Sequence, residues 1–125
     1  MNILVVEDNQ VDLKLAVAVL KDSGYSVREH ITAEEAIKAV SKDKPDLILL
    51  DLRLPGMDGM SFVKKLKGGA ETRRIPIVVV TAFPNLFNKA ELLAAGCDAY
   101  LSKPIDTRTL SQKLAEAAGR SSRGE

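Results

Sequence analysis

Length, composition and charge already restrict what this chain can do. With 125 residues, 46% of them hydrophobic, it is long enough for one domain with a substantial core. A formal net charge of +1 gives no argument for binding nucleic acid or an anionic membrane, and no apolar run reaches transmembrane length. The single cysteine, Cys97, excludes an intrachain disulfide, and the single histidine, His30, excludes a multi-histidine metal site. We expect a soluble, cytoplasmic protein.

Strand and helix patterns alternate from the start of the chain. Residues 2–6 are apolar and β-branched, which predicts a buried strand. Asn9 can cap the helix that follows, and Gly24 can end it. Residues 25–29 predict a second strand near the sheet edge, and Thr32 begins a capping box for the second helix. The apolar face predicted for the first helix comprises Val11, Leu15, Ala18 and Val19.

The middle of the chain contains the strongest strand signal. Residues 47–50 form an unbroken apolar run bounded by proline-containing segments, which predicts a strand buried on both faces, as in a parallel sheet. Asp51 stands where this strand ends. Because Asp is also common in turns, this residue alone does not distinguish a loop from a reactive site. A helix over residues 57–66 is predicted next.

The second half of the chain repeats the alternation. Residues 75–80 predict a fourth buried strand, residues 85–95 a short helix and residues 99–101 a fifth strand. Asp106 can cap a last helix over residues 106–118. The pattern predicts an α/β fold, a doubly wound five-stranded parallel sheet with right-handed crossovers. We expect a single domain at residues 1–118 and a flexible tail at residues 119–125.

Polar side chains follow the predicted strands where these end. They are Glu7 and Asp8 after the first strand, Asp51 after the third, Thr81 after the fourth and Lys103 after the fifth. Ligands of open α/β sheets bind at this edge. Three carboxylates raise one another's pKa unless a cation intervenes, and Mg²⁺ takes oxygen ligands. Lys103 adds a positive charge that can bind an anion. Together these residues predict a phosphoryl site in which one carboxylate is the nucleophile.

These residues stand in motifs that resemble those of response-regulator receiver domains, the switch modules of two-component signalling. Five motifs of that family occur here in the same order. They are the acidic pair Glu7-Asp8, Asp51 with the loop of residues 54–59, Thr81-Ala82, Tyr100, and Lys103-Pro104. The resemblance covers nearly the whole chain, to about residue 118, and is greatest for small standalone regulators of the cell-cycle type. One departure is Glu7, where many members have Asp.

The resemblance implies a flavodoxin-like (βα)5 receiver fold and a phosphoacceptor. Asp51 is expected to take a phosphoryl group from the phosphohistidine of a histidine kinase or histidine phosphotransfer protein. Asp8, Asp51 and the backbone carbonyl of Arg53 are expected to ligate Mg²⁺, or Mn²⁺ in its place, with Glu7 acting mostly through water.

The resemblance also implies a conformational switch. Lys103 and the Thr81 hydroxyl are expected to hold the phosphoryl oxygens, with Ala82 as the small neighbour of Thr81. Tyr100 is expected to turn inward when Thr81 moves, although a strand tyrosine is also a common packing residue. Pro104 is expected to follow a cis peptide bond.

The expected output is binding of another protein. It involves the face formed by residues 85–95, 99–101 and 106–118. We expect a monomer or a weak phosphorylation-dependent dimer that is a signalling switch and not an enzyme, although it can dephosphorylate itself.

Three other functions compete with this one. An aspartyl phosphatase of the haloacid-dehalogenase type needs a second Asp two residues after the nucleophile, where this chain has Arg53. A receiver that never takes phosphate lacks part of the acidic set or the lysine, and both are present. The third alternative stays open: the chain is a receiver domain cut from a hybrid histidine kinase or multidomain regulator.

Four further residues have weaker signals. His30 is expected to be solvated and Cys97 to be a small apolar filler. Phe83 and Phe87 are either core residues or an apolar patch for a partner, and the sequence does not decide between these.

Overall fold

Strands and helices alternate along the computed structural model, which describes residues 1–54, 56–82 and 89–123, without the side chains of residues 89 and 120–123. The strands are β1 (Asn2–Val6), β2 (Ser26–His30), β3 (Leu47–Asp51), β4 (Ile77–Thr81) and β5 (Ala99–Ser102). The helices are α1 (Gln10–Asp22), α2 (Ala33–Lys42), α3 (Gly59–Lys67), α4 (Lys89–Ala95) and α5 (Leu110–Arg123).

The five strands form one parallel sheet in the order β2-β1-β3-β4-β5, which confirms the predicted fold class. All residues of β3 and β4 are buried, as their unbroken apolar runs predict for strands covered on both faces. The register pairs Val6 with Leu50, Asp51 with Val80 and Thr81 with Ser102. The carboxyl ends of the central strands therefore lie side by side.

Two hydrophobic cores lie on opposite faces of the sheet, because alternate residues of each strand point to opposite sides. One core packs under α2, α3 and α4, and the other under α1 and α5. Both cores receive residues from β1, β3 and β4. The first takes Leu4, Val6, Ile48, Leu50, Ile77 and Val79 from these strands, and the second takes Ile3, Val5, Leu47, Leu49, Val78 and Val80.

The apolar face predicted for α1 is wrong at three of its four positions, since Val19 is the one of these residues that packs against the core. Val11 is 76% exposed and Leu15 is 39% exposed, and Ala18 is also at the surface. Because α1 is apolar around most of its circumference, its sequence contains two possible apolar stripes. Packing against the sheet selected the stripe with four residues at i, i+3, i+4 and i+7. The residues buried there are Leu13, Ala16, Val17 and Leu20.

Two helix starts also differ from the sequence prediction. α3 begins at Gly59, because the Asp58 side chain caps it by accepting a hydrogen bond from the Ser61 amide at 2.8 Å. A Cβ at position 59 would lie 2.7 Å from the Leu52 backbone, which explains the glycine. Asp106 caps a preceding turn, with Oδ1 accepting from the Arg108 amide at 3.0 Å, and α5 begins only at Leu110.

The end of α5 lies further along the chain than expected. The helix runs to Arg123, past the predicted end near residue 118. The division into a domain at residues 1–118 and a tail at 119–125 stays a prediction. The predictions for Phe83 and Phe87 lie outside the described residues, as does the predicted start of the helix at residue 85. Within the described ranges, no helix has both the length and the apolar character needed to cross a membrane.

Candidate functional site

Three carboxylates meet at the carboxyl edge of the sheet. Glu7 and Asp8 follow β1, and Asp51 ends β3, the strand paired with β1. Glu7, Asp8 and Asp51 each offer a carboxylate oxygen, and these oxygens all lie within 4.8 Å of one another. The structure thus brings together the three acids that the sequence placed at strand ends, in a set of hard oxygen donors suited to a divalent cation.

The three carboxylates differ in burial. Glu7 is only 5% exposed and Asp51 only 8%, whereas Asp8 lies at the surface. Burial, followed by the neighbouring Asp51, raises the pKa of Glu7 to about 8, and Lys103 partly opposes this rise. The metal-free site therefore retains a proton on Glu7 near neutral pH.

Lys103 inserts its ammonium group among these acids. Its Nζ lies 2.7 Å from Glu7 Oε1, 2.9 Å from Asp12 Oδ2 and 3.4 Å from Asp51 Oδ2. Burial lowers the pKa of Lys103, but the hydrogen bonds to Asp12 and Glu7 and the charge of Asp51 outweigh burial, and the pKa is raised overall. Lys103 is therefore a charged group at the site.

The backbone around Lys103 fixes where that side chain starts. The Lys103 amide donates to the Thr81 carbonyl at 2.8 Å, which joins the loop after β5 to the end of β4. The peptide bond between Lys103 and Pro104 is cis, the isomer that the resemblance implies.

Asp12 is the site residue that the sequence analysis missed. It lies in the first turn of α1, where Asn9 Oδ1 accepts hydrogen bonds from the amides of Val11 and Asp12 at 3.0 and 3.1 Å. The predicted Asn9 cap is thus confirmed. A signal was present: Asp12 follows Asp8 by one helical turn, on the helix that starts at the site.

An open cavity of about 550 Å³ lies over these groups. This volume is ample for a phosphoryl group with its surrounding water. The cavity is lined by Asp8, Asn9, Asp12, Asp51, Arg53, Leu54, Ala82 and Lys103.

Among the hydrogen bonds that fix the loop after β3, one reaches Asp51 itself and another reaches α2. The Arg53 amide donates to Asp51 Oδ1 at 3.2 Å, which orients the carboxylate. Glu34 Oε1 at the start of α2 accepts from the Met57 amide at 3.1 Å. Gly56 beside it has a φ of 78°, and a Cβ there would lie 2.9 Å from the same Glu34 oxygen. These contacts hold the backbone beside Asp51 in place.

Two residues expected to act with the phosphoryl group stand back from the cavity. Thr81 is fully buried at the end of β4 and does not line the cavity, although the next residue, Ala82, does. Tyr100 is half-buried on β5, packs against the core under α2, α3 and α4, and lines a separate groove that also includes Pro104. The structure therefore brings the acids and Lys103 together, and the expected roles of Thr81 and Tyr100 stay predictions.

His30 and Cys97 lie apart from this chemistry. The His30 side chain is half-buried, with Nδ1 3.7 Å from Glu35 Oε2. Cys97 is buried in the core, and burial raises the pKa of its thiol to about 11, so the thiol stays protonated at neutral pH.

Comparison with known proteins identifies this arrangement. Residues 3–115 match the family model of the response regulator receiver domain. The chain belongs to this family. It is therefore a phosphorylation-based signalling switch of two-component systems, and receiver domains in general interact with histidine kinases or phosphotransfer proteins and with output partners.

The similar proteins include small regulators. The chain is 38% identical over 104 residues to the polar-differentiation response regulator DivK of Brucella anthropi and to that of Brucella ovis, an alignment that covers 83% of this chain and 85% of each relative. A CheY-like receiver domain protein of Methanospirillum hungatei JF-1 superposes with a TM-score of 0.89 at 29% identity, over 99% of this chain and 98% of the other.

A sensor kinase receiver domain is also similar. The receiver domain of a sensor histidine kinase of Pseudomonas aeruginosa PAO1 has a TM-score of 0.86 and 33% identity, covering 94% of this chain and 97% of that one. Its crystal structure has a magnesium ion coordinated in the active-site cleft.

Proposed function

We propose that Asp51 is the phosphoacceptor of this receiver domain. The observation that carries the proposal is the position of its carboxylate, which belongs to the three-acid cluster and also lies 3.4 Å from Lys103 Nζ. An Asp51 oxygen attacks the phosphorus of a phosphohistidine, the P–N bond breaks, and the histidine of the donor leaves with the bond's electron pair. The product is an acyl phosphate on Asp51.

The residues at this edge fit a magnesium ion. Glu7, Asp8 and Asp51 supply oxygen donors within 4.8 Å of one another, and burial together with the neighbouring Asp51 raises the pKa of Glu7. When bound, the ion neutralises charge on the transferred group. We further propose that the Arg53 carbonyl completes the ligand set and that Glu7 acts mostly through water. Mn²⁺ is an alternative ion with the same oxygen preference.

Lys103 and Thr81 are proposed to hold the phosphoryl oxygens. Lys103 is charged and lines the cavity, so it needs only to exchange carboxylate oxygens for phosphoryl oxygens as hydrogen-bond partners. Thr81 is buried and must move to reach the group. We propose that this movement is coupled to Tyr100, which packs on the neighbouring strand. Phosphorylation thereby reshapes the face formed by α4, β5 and α5, where an output protein binds.

The phosphodonor is proposed to approach over α1. Val11 and Leu15 are large apolar residues left exposed there, and Asp12 on the same helix lines the cavity. A histidine-bearing partner must come within bonding distance of Asp51, so it must cover the rim of this cavity. Exposed apolar side chains on the helix that carries Asp12 suit such a contact.

The test of the proposed function is modification by a small phosphodonor. With acetyl phosphate and Mg²⁺, intact mass should increase by one phosphoryl group, and fragmentation should map it to Asp51. Asp51→Asn, and the wild type in excess chelator, should stay unmodified. An adduct in either control would refute the assignment.

Two expectations about the wider context stay predictions. One is a cytoplasmic monomer or weak phosphorylation-dependent dimer that acts as a standalone regulator. The alternative, a receiver domain of a hybrid kinase or multidomain regulator, also stays open, since the similar proteins include both the small DivK regulators and a sensor kinase receiver domain.

A further inference from the structure

Lys103 has two kinds of acidic partner. Glu7 and Asp51 belong to the cluster that can hold a metal ion, at 2.7 and 3.4 Å from Nζ. Asp12, at 2.9 Å, is a partner of Lys103 outside that cluster. A divalent cation and the ammonium group therefore compete for Glu7 and Asp51, whereas Asp12 remains available to Lys103.

The position of Asp12 is set by the local structure of α1. The Asn9 cap fixes the Asp12 amide in the first helical turn, and the side chain, one-third exposed, points to the cavity that it lines. An ammonium group has three N–H donors. If one binds Asp12, two remain for oxygens of a phosphoryl group on Asp51.

We propose that Asp12 is a positioning residue for Lys103. When a divalent cation takes over Glu7 and Asp51, Asp12 retains the Lys103 ammonium at the cavity wall, ready for the phosphoryl oxygens. This inference rests on the proposed function and adds a residue that acts on the phosphoryl group only through Lys103.

The charge of Asp12 allows a positioning role to be distinguished from direct repulsion between Asp12 and the bound anionic group. Asp12 is an anion beside the place where an anionic group binds, so its repulsion alone predicts that Asp12→Asn binds such a group more tightly. A positioning role predicts the opposite sign, because Lys103 must then be ordered again whenever the group binds. A helix-terminal role of Asp12 with the dipole predicts a change in stability only.

The experiment measures binding of beryllofluoride, a phosphoryl mimic, at saturating Mg²⁺. Asp12→Asn should weaken binding by about two- to tenfold, the size of one partly exposed charged pair, and Asp12→Glu should recover at least part of the affinity. Asp22→Asn, at the far end of the same helix, is the matched control and should bind as the wild type does. Melting temperatures of all variants check the fold.

A second readout follows Lys103 itself. In the Mg²⁺ form, without beryllofluoride, the NMR signals of the Lys103 side-chain εCH₂ group should move towards those of solvent-exposed lysines in Asp12→Asn, but not in Asp22→Asn. Unchanged Lys103 signals, or equal or tighter beryllofluoride binding by Asp12→Asn, would overturn the role of Asp12 while leaving the proposed function intact. If the wild type itself binds no beryllofluoride, the proposed function fails and the role of Asp12 falls with it.

Discussion

Glu7 Oε1 lies 2.7 Å from Lys103 Nζ, at the edge of the sheet where β1 and β5 end. The pair joins two strands that are not neighbours in the sheet, across the ends of β3 and β4. Lys103 thereby offsets part of the negative charge that the three carboxylates concentrate there. Any ligand of this edge, whether a cation or a phosphoryl group, has to exchange partners with this pair.

The stability of the metal-free protein should depend on the protonation of Glu7. Its pKa is raised from 4.5 to about 8, so between these values the folded state binds more protons than the unfolded state. The free energy of unfolding should therefore fall as the pH rises from about 5 to about 8. We expect a loss of roughly 1–2 kcal/mol, less than the full shift corresponds to, because water and side-chain rearrangement screen the new charge.

Urea unfolding in chelator at about pH 6 and about pH 8.5 measures this effect of pH. Glu7→Gln cannot titrate, so the difference between the two pH values should shrink in this variant. A wild type that is equally stable at both values would contradict the prediction.

Mg²⁺ should stabilise the protein through the acidic cluster. At a hundred times its dissociation constant, a ligand that binds only the folded state adds about 2.7 kcal/mol to the free energy of unfolding. Asp8→Ala removes one predicted ligand and some charge repulsion, so the melting temperature should respond much less to Mg²⁺. Asp22→Ala, a surface acid outside the cluster, should respond as the wild type does. The metal site lies elsewhere if Asp8→Ala shows the full response.

Thr81→Ala should separate phosphorylation from switching. The hydroxyl is not among the cluster oxygens, so Mg²⁺ affinity should stay within about twofold of the wild type. On addition of beryllofluoride, the amide chemical-shift changes around Tyr100 should be smaller in Thr81→Ala than in the wild type. The variant lacks the buried hydroxyl that is proposed to move towards the phosphoryl mimic. Thr72→Ala, in the loop between α3 and β4, is the control. Equal chemical-shift changes in Thr81→Ala and the wild type would show that Thr81 does not couple the phosphoryl site to the surroundings of Tyr100.

Val11→Asp should slow phosphotransfer from a histidine-bearing donor. A charge in the proposed α1 contact should cost about 1.4 kcal/mol, or about tenfold in rate at low donor concentration. Labelling by acetyl phosphate needs no docking surface and should be unchanged. Leu93→Asp, which replaces another large apolar residue left exposed, on α4, is the matched control. Equal slowing by both substitutions would remove the assignment of α1 as the donor surface.

Activation should change affinity for another protein, not for DNA. Coupling free energies of such switches are about 1–3 kcal/mol, so partner binding should tighten by about 5- to 150-fold. Baits with and without beryllofluoride can be compared in pull-downs, beside a DNA shift assay. Specific DNA binding, or identical partner sets from both baits, would favour the alternative of a receiver domain from a multidomain regulator.

Apolar patterning and the residues at strand ends were enough to predict the sheet and most of the site. The short apolar runs at residues 47–50 and 75–80 predict strands buried on both faces. Strands of that kind, alternating with helices, must form a parallel sheet. Once the sheet is parallel, all residues that follow its strands meet at one edge, so Glu7, Asp51 and Lys103 could be grouped without coordinates.

The buried face of α1 and the contact between Asp12 and Lys103 could not be predicted from the sequence. The α1 sequence is apolar on more than one face, so exposure of Val11 instead of Leu13 depends on how the helix lies on the sheet. Asp12 and Lys103 are 91 positions apart, and their contact depends on that same helix orientation. Periodicity reports which residues share a face, but the rotation of the helix about its axis is set by packing against distant strands.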